Sequence, residues 1–234
     1  MSENPSEEPV ETDEEVEILA PGTVVLIVDP LCGWCWGAAP TIARIAAAGV
    51  VPLRVLASGL FIGGRPMTPD FADYAWKNDC RIRDLTGQTF SDAYRQKVLG
   101  NFETTFDSGP ATLAFAAVQL AEPAKAIAAL HGLQAARWVE GRDVTSEAVC
   151  ADVLREIGCD EETVAAYLAE DDAVIDLLNQ RAALASDLMA HVGARGVPTL
   201  LRIVEGGVEK IDGRVLFENV GDILVHLTGT AGSA

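Results

Sequence analysis

Positive charge is scarce in this sequence. Its 234 residues include 35 Asp and Glu but only 17 Lys and Arg, so the net charge is −18 and the pI is near 4.4. A surface of this sign repels nucleic acids and anionic membranes. We therefore expect neither a nucleic acid nor a membrane to be a partner of this protein.

Long apolar runs and a secretory leader are also missing. No segment approaches the roughly 20 apolar residues that span a bilayer. The first residues offer neither the basic region nor the apolar region of a signal peptide. The expected location is therefore the cytoplasm, where structural disulfides are rare. The odd count of five cysteines likewise argues against a fold held together by disulfides.

The acidity is concentrated at the N-terminus. Residues 1–20 contain eight Asp and Glu and no Lys or Arg. Such a segment cannot bury enough apolar surface to fold, so we predict an acidic disordered tail. The whole chain is 49% apolar, which is enough for one domain or for one domain with a large insertion.

The motif Cys32-Gly33-Trp34-Cys35 is the clearest chemical signal. It follows an apolar, β-branched run predicted to be a strand over 23–29, and it opens a helix predicted over 32–48. Unpaired N–H groups and the helix dipole favour a thiolate on the first sulfur. The two-residue spacing brings the second sulfur one turn away, where a disulfide can close. The motif therefore predicts a redox-active pair of cysteines.

The order of the remaining segments predicts an α/β fold. A second strand over 51–58 lies parallel to the first, strands return at 198–204 and 208–211, and an amphipathic helix covers 219–227. Between them, 68–192 is almost entirely helical in pattern. We predict a small mixed sheet formed by residues 21–66 and 193–230, with an all-helical domain, residues 67–192, inserted midway.

Two motifs together resemble one family. The segment Asp29-Pro30-Leu31-Cys32-Gly33-Trp34-Cys35-Trp36-Gly37 and the segment Gly196-Val197-Pro198-Thr199 are similar to motifs of the DsbA-like branch of the thioredoxin superfamily. Within that branch the first segment resembles the cytoplasmic, FrnE-like group of disulfide oxidoreductases and isomerases. A weaker similarity is Ser108-Gly109-Pro110-Ala111, which opens a helix of the insertion. The resemblance implies a thioredoxin-like fold with an inserted helical domain.

The resemblance also implies roles for individual residues. Cys32 would be the exposed attacking thiolate, and Cys35 the shielded resolving thiol. Pro198 would lie opposite Cys32 behind a cis bond from Val197, where residue 197 pairs with an extended substrate. Trp34 would offer substrates an apolar surface. The Gly-Trp dipeptide between the cysteines departs from well-known members, so their redox poise does not transfer.

Trp36 is expected to pack in the core rather than to meet substrate. The other three cysteines, Cys80, Cys150 and Cys159, are expected to act as small core residues, although a pair between the last two stays open. No metal site is predicted, because the motif supplies two ligands and the remaining cysteines and histidines are scattered.

Three functions remain open from the sequence. The first is a thiol–disulfide oxidoreductase or isomerase that acts on protein disulfides without a bound cofactor. Glutathione as co-substrate, another thiol or a thioredoxin-type system would recycle it. The second is a glutathione-dependent transferase or isomerase of the same fold that acts on a small molecule. The third is a non-catalytic binding module.

Overall fold

A computed structural model of the chain describes residues 20–217 together with Ile223, Leu224 and Leu227. The predicted acidic tail lies outside these residues except for its last position. Most of the helix predicted over 219–227 also lies outside them, and its three described residues are helical.

The strands form a mixed sheet and a short ribbon. In chain order they are β1 (Val24–Val28), β2 (Leu53–Ala57), β3 (Arg65–Pro66), β4 (Thr105–Phe106), β5 (Thr199–Val204) and β6 (Gly207–Ile211). The sheet has the order β2-β1-β5-β6, in which β1 pairs parallel with β2 and antiparallel with β5. β5 and β6 pair antiparallel as a hairpin. The mixed sheet and the parallel β1–β2 pair are therefore confirmed.

The helices lie mostly between β3 and β5. In chain order they are α1 (Gly33–Ala48), α2 (Pro69–Thr86), α3 (Asp92–Tyr94), α4 (Gly109–Ala121), α5 (Ala126–Trp138), α6 (Glu147–Glu156), α7 (Glu161–Leu168) and α8 (Asp172–His191). A π-helical turn over Arg95–Leu99 continues α3, and 3-10 turns occupy Pro123–Lys125 and Gly213–Phe217. The ribbon of β3 and β4, which the sequence does not predict, lies at the edge of this helical insertion.

Both faces of the sheet are covered. Every residue of β1 is buried, and alternate side chains face opposite sides, as in any strand. Val24, Leu26 and Val28 join the larger core with α1 and the inserted helices, whereas Val25 and Ile27 join a smaller core with residues of α8. The end of α8 therefore packs on the sheet itself. The domain limits predicted from the sequence stay predictions.

Two glycines let α2 approach α1 closely. A Cβ atom on residue 33 would lie 2.7 Å from Oδ1 of Asp79, and one on residue 37 would lie 2.8 Å from Cγ2 of Ile82. Gly33 and Gly37 are four residues apart, so they share one face of α1. This glycine face fixes the distance between the first turn of α1 and the insertion. None of the described helices has both the length and the apolar character needed to cross a bilayer.

We expect Gly37→Val to lower the free energy of unfolding by about 1–3 kcal/mol, because the added methyl groups collide with the buried Ile82. Urea denaturation would measure the loss. The matched control is Ala47→Val on the exposed face of the same helix, where a change within about 0.5 kcal/mol is expected. Equal losses at the two positions would contradict the close packing of α1 on α2.

Candidate active site

Cys32 lies at the N-terminus of α1. It is the residue before the helix, with φ −83° and ψ 114°, and the N–H of Trp36 donates to its carbonyl oxygen at 3.1 Å. The N–H groups of the first turn of a helix have no acceptor within that helix. The sulfur of Cys32 is therefore attached beside the positive end of a helix dipole, which favours negative charge there.

Cys35 lies one turn further along α1 and is fully buried. Both cysteines are free thiols, and the two are close enough to share a hydrogen bond. Burial is the main reason that the pKa of Cys35 is raised well above its usual value. The neighbouring Cys32 is the second cause, and the charge of Asp29 adds to this effect. Cys35 therefore keeps its proton at neutral pH, which suits a resolving thiol better than an attacking one.

Val197 and Pro198 lie where the resemblance implied. The carbonyl oxygen of Val197 accepts a hydrogen bond from the Cys32 thiol at 3.3 Å. The Val197–Pro198 bond is cis, and β5 begins at the next residue. One expectation is wrong: Cys32 is not exposed, because only 7% of its surface is accessible. The loop that carries Val197 lies against its sulfur.

The two tryptophans of the motif have different surroundings. Trp34 is partly buried, and its ring lies 5.4 Å from that of Phe217 in an edge-to-face contact, with the guanidinium of Arg81 at 5.9 Å. Trp36 is buried and stacks on Trp138 of α5 at 5.9 Å. Trp36 therefore packs in the core, as predicted, whereas part of Trp34 remains open to a substrate.

Asp29 connects the motif to the insertion. This fully buried carboxylate accepts the Leu31 N–H at 2.9 Å on Oδ1, and on Oδ2 it accepts the Ser108 hydroxyl at 3.0 Å and the Phe61 N–H at 3.3 Å. Burial raises the pKa of Asp29, and these three donors act against that shift. The three donors come from the motif, from the loop after β2 and from the start of α4. One carboxylate therefore ties three segments together beneath the thiols.

A groove of 350 Å³ lies beside Pro198 and is lined partly by Arg195 and Lys210. Both side chains are exposed. Arg195 precedes Pro198 by three residues, and Lys210 comes from the neighbouring strand β6. The groove therefore offers two positive charges next to the site, on a protein whose net charge is −18.

The remaining cysteines lie elsewhere. Burial raises the pKa of Cys150 to about 12 and that of Cys159 to about 11, and both are free thiols. The low accessibility of Cys150 and Cys159 fits the expected packing role, whereas Cys80 is only partly buried and does not join the core. Among the described residues, no group of three or more His, Cys, Asp or Glu side chains could hold a metal ion.

This arrangement is suited to thiol–disulfide exchange. One thiol at a helix N-terminus has some access to solvent, and a second, protonated thiol waits behind it. The chain matches the DSBA-like thioredoxin domain family over residues 23–224. The chain belongs to this family. It therefore has a DsbA-like thioredoxin fold with a helical insertion, the fold of thiol–disulfide oxidoreductases.

Solved structures agree with this membership. The cytosolic disulfide reductase DsbM from Pseudomonas aeruginosa is 30% identical, with a TM-score of 0.78, and the match covers 88% of this chain and 98% of DsbM. A structure of DsbM with GSH is similar at 29% identity, with a TM-score of 0.77 and the same coverage. A 2-hydroxychromene-2-carboxylate isomerase shares the fold at 18% identity and a TM-score of 0.58, over 90% of this chain and 100% of the isomerase. A comparison with curated proteins found no match.

Two features of the site are not apparent from the sequence. Ser108 and Asp29 belong to separate motifs, and neither motif predicts the hydrogen bond between them. No motif in the sequence includes Asp79, which lies on the buried side of α2 with Ala72 and Ile82. A carboxylate at an apolar helical position is the signal that could have found it.

We expect Ser108→Ala to lower the free energy of unfolding by about 1.5–3 kcal/mol, because it removes a donor from the buried carboxylate of Asp29. Equilibrium unfolding in urea would measure it. Ser186→Ala, on the exposed face of α8, is the matched control and should change stability by less than about 0.5 kcal/mol. If Ser108→Ala lowers the free energy of unfolding no more than Ser186→Ala does, the hydrogen bond to Asp29 does not stabilise the fold.

Proposed function

We propose that this protein is a thiol–disulfide oxidoreductase that acts on polypeptide disulfides through Cys32 and Cys35. The observation that carries the proposal is the placement of the two cysteines one turn apart at the N-terminus of α1, with the Val197 carbonyl oxygen 3.3 Å from the Cys32 sulfur. Cys32 is the attacking thiolate, and Cys35 is the resolving thiol. Cytoplasmic location and membership of the FrnE-like group belong to the same proposal.

The reaction proceeds by two exchanges. The Cys32 thiolate attacks one sulfur of the substrate disulfide, so a mixed disulfide forms and the other substrate sulfur leaves as a thiolate that takes up a proton. Cys35 then loses its proton and attacks the Cys32 sulfur, which closes the Cys32–Cys35 disulfide and releases the second substrate thiol. The substrate gains two electrons, and the cysteine pair loses them. Run backwards, the same steps oxidise a dithiol substrate.

The backbone beside Cys32 supports a polypeptide substrate. Residue 197 precedes β5 and has its carbonyl oxygen beside the reacting sulfur. An extended substrate chain can pair with backbone groups at such a strand end. The partly open face of Trp34 then supplies apolar contact to the substrate side chains that flank the disulfide.

Glutathione is the proposed electron donor, and no bound cofactor is required. Two glutathione molecules would reduce the Cys32–Cys35 disulfide in two exchanges and leave as glutathione disulfide. The DsbM structure with GSH supports this choice of donor. Arg195 and Lys210 in the groove beside Pro198 would attract the carboxylates of glutathione.

Cys35→Ser should trap covalent complexes with polypeptide substrates, because the mixed disulfide on Cys32 then has no resolving thiol. Non-reducing electrophoresis followed by mass spectrometry of the adducts would detect them. The variant that lacks both Cys32 and Cys35 is the control and should trap none. A Cys35→Ser protein that carries only glutathione, or nothing, would sink the proposal of polypeptide substrates.

The Cys35→Ser variant also distinguishes disulfide exchange from the alternative function considered for this fold. A glutathione-dependent transferase or isomerase acting on a small molecule does not need a second thiol. Retention of glutathione-conjugating activity in Cys35→Ser would therefore favour that function over disulfide exchange.

Replacing Arg195 and Lys210 by Gln should raise the glutathione concentration needed for half-maximal reduction of the oxidised protein, by about two- to fivefold for each lost charge. The ratio should shrink as salt is added, since exposed charges are screened. Arg44→Gln, an exposed position on α1, is the control and should leave the value unchanged. If neither groove variant changes this glutathione concentration, glutathione binds outside the groove.

A further inference from the structure

A buried carboxylate lies against the backbone of the cysteine motif. Asp79 is only 6% exposed, and its Oδ1 is 2.7 Å from the position that a Cβ of residue 33 would occupy. Residue 33 is the first residue of α1 and the neighbour of Cys32. Asp79 comes from α2, so the insertion brings a negative group to the helix end that favours the Cys32 thiolate.

The groups that face Asp79 come from three elements. From α3, the Tyr94 hydroxyl donates to Oδ2 of Asp79 at 2.8 Å. From α5, the guanidinium of the buried Arg137 lies near Asp79 and 5.5 Å from the centre of the Tyr94 ring. Nη1 of Arg137 is also 3.7 Å from Oδ1 of Asp143. From α1, the backbone of Gly33, the neighbour of Cys32, lies against Oδ1 of Asp79.

These neighbours have opposing effects on the carboxyl group. Burial raises the pKa of Asp79, whereas the Tyr94 hydrogen bond and the charge of Arg137 lower it. The resulting pKa is about 6. The carboxyl group is therefore mainly neutral near pH 5 and mainly ionised near pH 8. Arg137 is a permanent cation whose three guanidinium nitrogens have no hydrogen-bond acceptor in the described part of the chain, so its charge is offset by Asp79 and Asp143.

We propose that Asp79 is a positioning residue that makes the redox equilibrium of the Cys32–Cys35 pair depend on pH, through the charge it places beside the first turn of α1. This inference rests on the proposed disulfide exchange. When Asp79 is ionised, its charge competes with the Cys32 thiolate for the same helix end and repels it. When Asp79 is protonated, the thiolate is relieved of that repulsion.

The proton balance follows from this coupling. Two glutathione thiols supply the two electrons that open the Cys32–Cys35 disulfide, and they leave as glutathione disulfide. In the reduced pair Cys35 keeps its proton, and the N-terminus of α1 favours negative charge on the Cys32 sulfur. The two glutathione thiols release two protons, of which Cys35 holds one. Negative charge on the Cys32 sulfur makes Asp79 bind a proton more tightly, so an Asp79 that is ionised in the oxidised protein takes up part of the second proton, which otherwise goes to solvent. Neutral to alkaline pH therefore disfavours the reduced form more in the wild type than in a protein without this carboxylate.

The test is the ratio of oxidised to reduced pair in glutathione buffers, measured for the full chain by acid quenching and thiol alkylation. Asp79→Asn should shift the ratio toward the reduced form by about threefold or more near pH 8, and by less than about 1.5-fold near pH 5, where the wild-type carboxyl is already neutral. Asp73→Asn, an exposed acid on the same helix, is the matched control and should show no shift at either pH.

A purely structural role for Asp79 would give an equal shift at both pH values, or none, and either result would overturn the proposal. Tyr94→Phe is the second variant, because it removes the donor to Asp79 and keeps the ring. It should raise the pKa of the carboxyl and shift the ratio in the same direction, mainly between about pH 6 and 8. Absence of a shift in Tyr94→Phe would overturn the inference even if Asp79→Asn did not fold. A wild-type pair that never equilibrates with glutathione would instead refute the proposed function.

Discussion

The position of the cysteine pair depends on the carboxylate of Asp29. A buried carboxylate is tolerated only when its oxygens are hydrogen-bonded, and Asp29 finds its donors in Leu31, Phe61 and Ser108. The backbone adds a link of its own, because the N–H of Ser108 donates to the carbonyl oxygen of Phe61 at 3.2 Å. The loop before α1, the loop after β2 and the first turn of α4 are thereby held at one point. The sheet and the helical insertion meet directly under the thiols.

The motif around the cysteines serves packing as much as chemistry. Gly33 and Gly37 give α2 its close approach, and Trp36 stacks on Trp138 of α5. Within the motif, Cys35 is fully buried, Trp34 is partly exposed, and Cys32 is mostly covered. The dipeptide between the cysteines is therefore constrained from inside the protein. A side chain in place of its glycine would displace the carboxylate of Asp79.

Charge near the thiols comes from opposing sources. The N-terminus of α1 favours a thiolate, whereas the buried carboxylates of Asp29 and Asp79 oppose negative charge around it. Arg137, itself buried, offsets part of that charge from behind Asp79. The helical insertion thus contributes groups that act on the redox site electrostatically, in addition to covering one side of it. Surface charge follows a different pattern, with Arg195 and Lys210 beside Pro198 on a strongly acidic chain.

The sequence by itself predicts most of the elements and a redox role for the motif, because both signals are local. An apolar β-branched run predicts β1, a helix follows it, and two cysteines at that junction predict the redox pair. The resemblance added Val197 and Pro198, which the structure places against Cys32. Only the tertiary structure decided that Ser108 reaches Asp29 across 79 positions of sequence, and that Asp79 reaches the backbone of Gly33. Such contacts depend on how α2 and α4 pack on α1, and packing between distant helices is set by the summed fit of many side chains, which no short pattern in one sequence records.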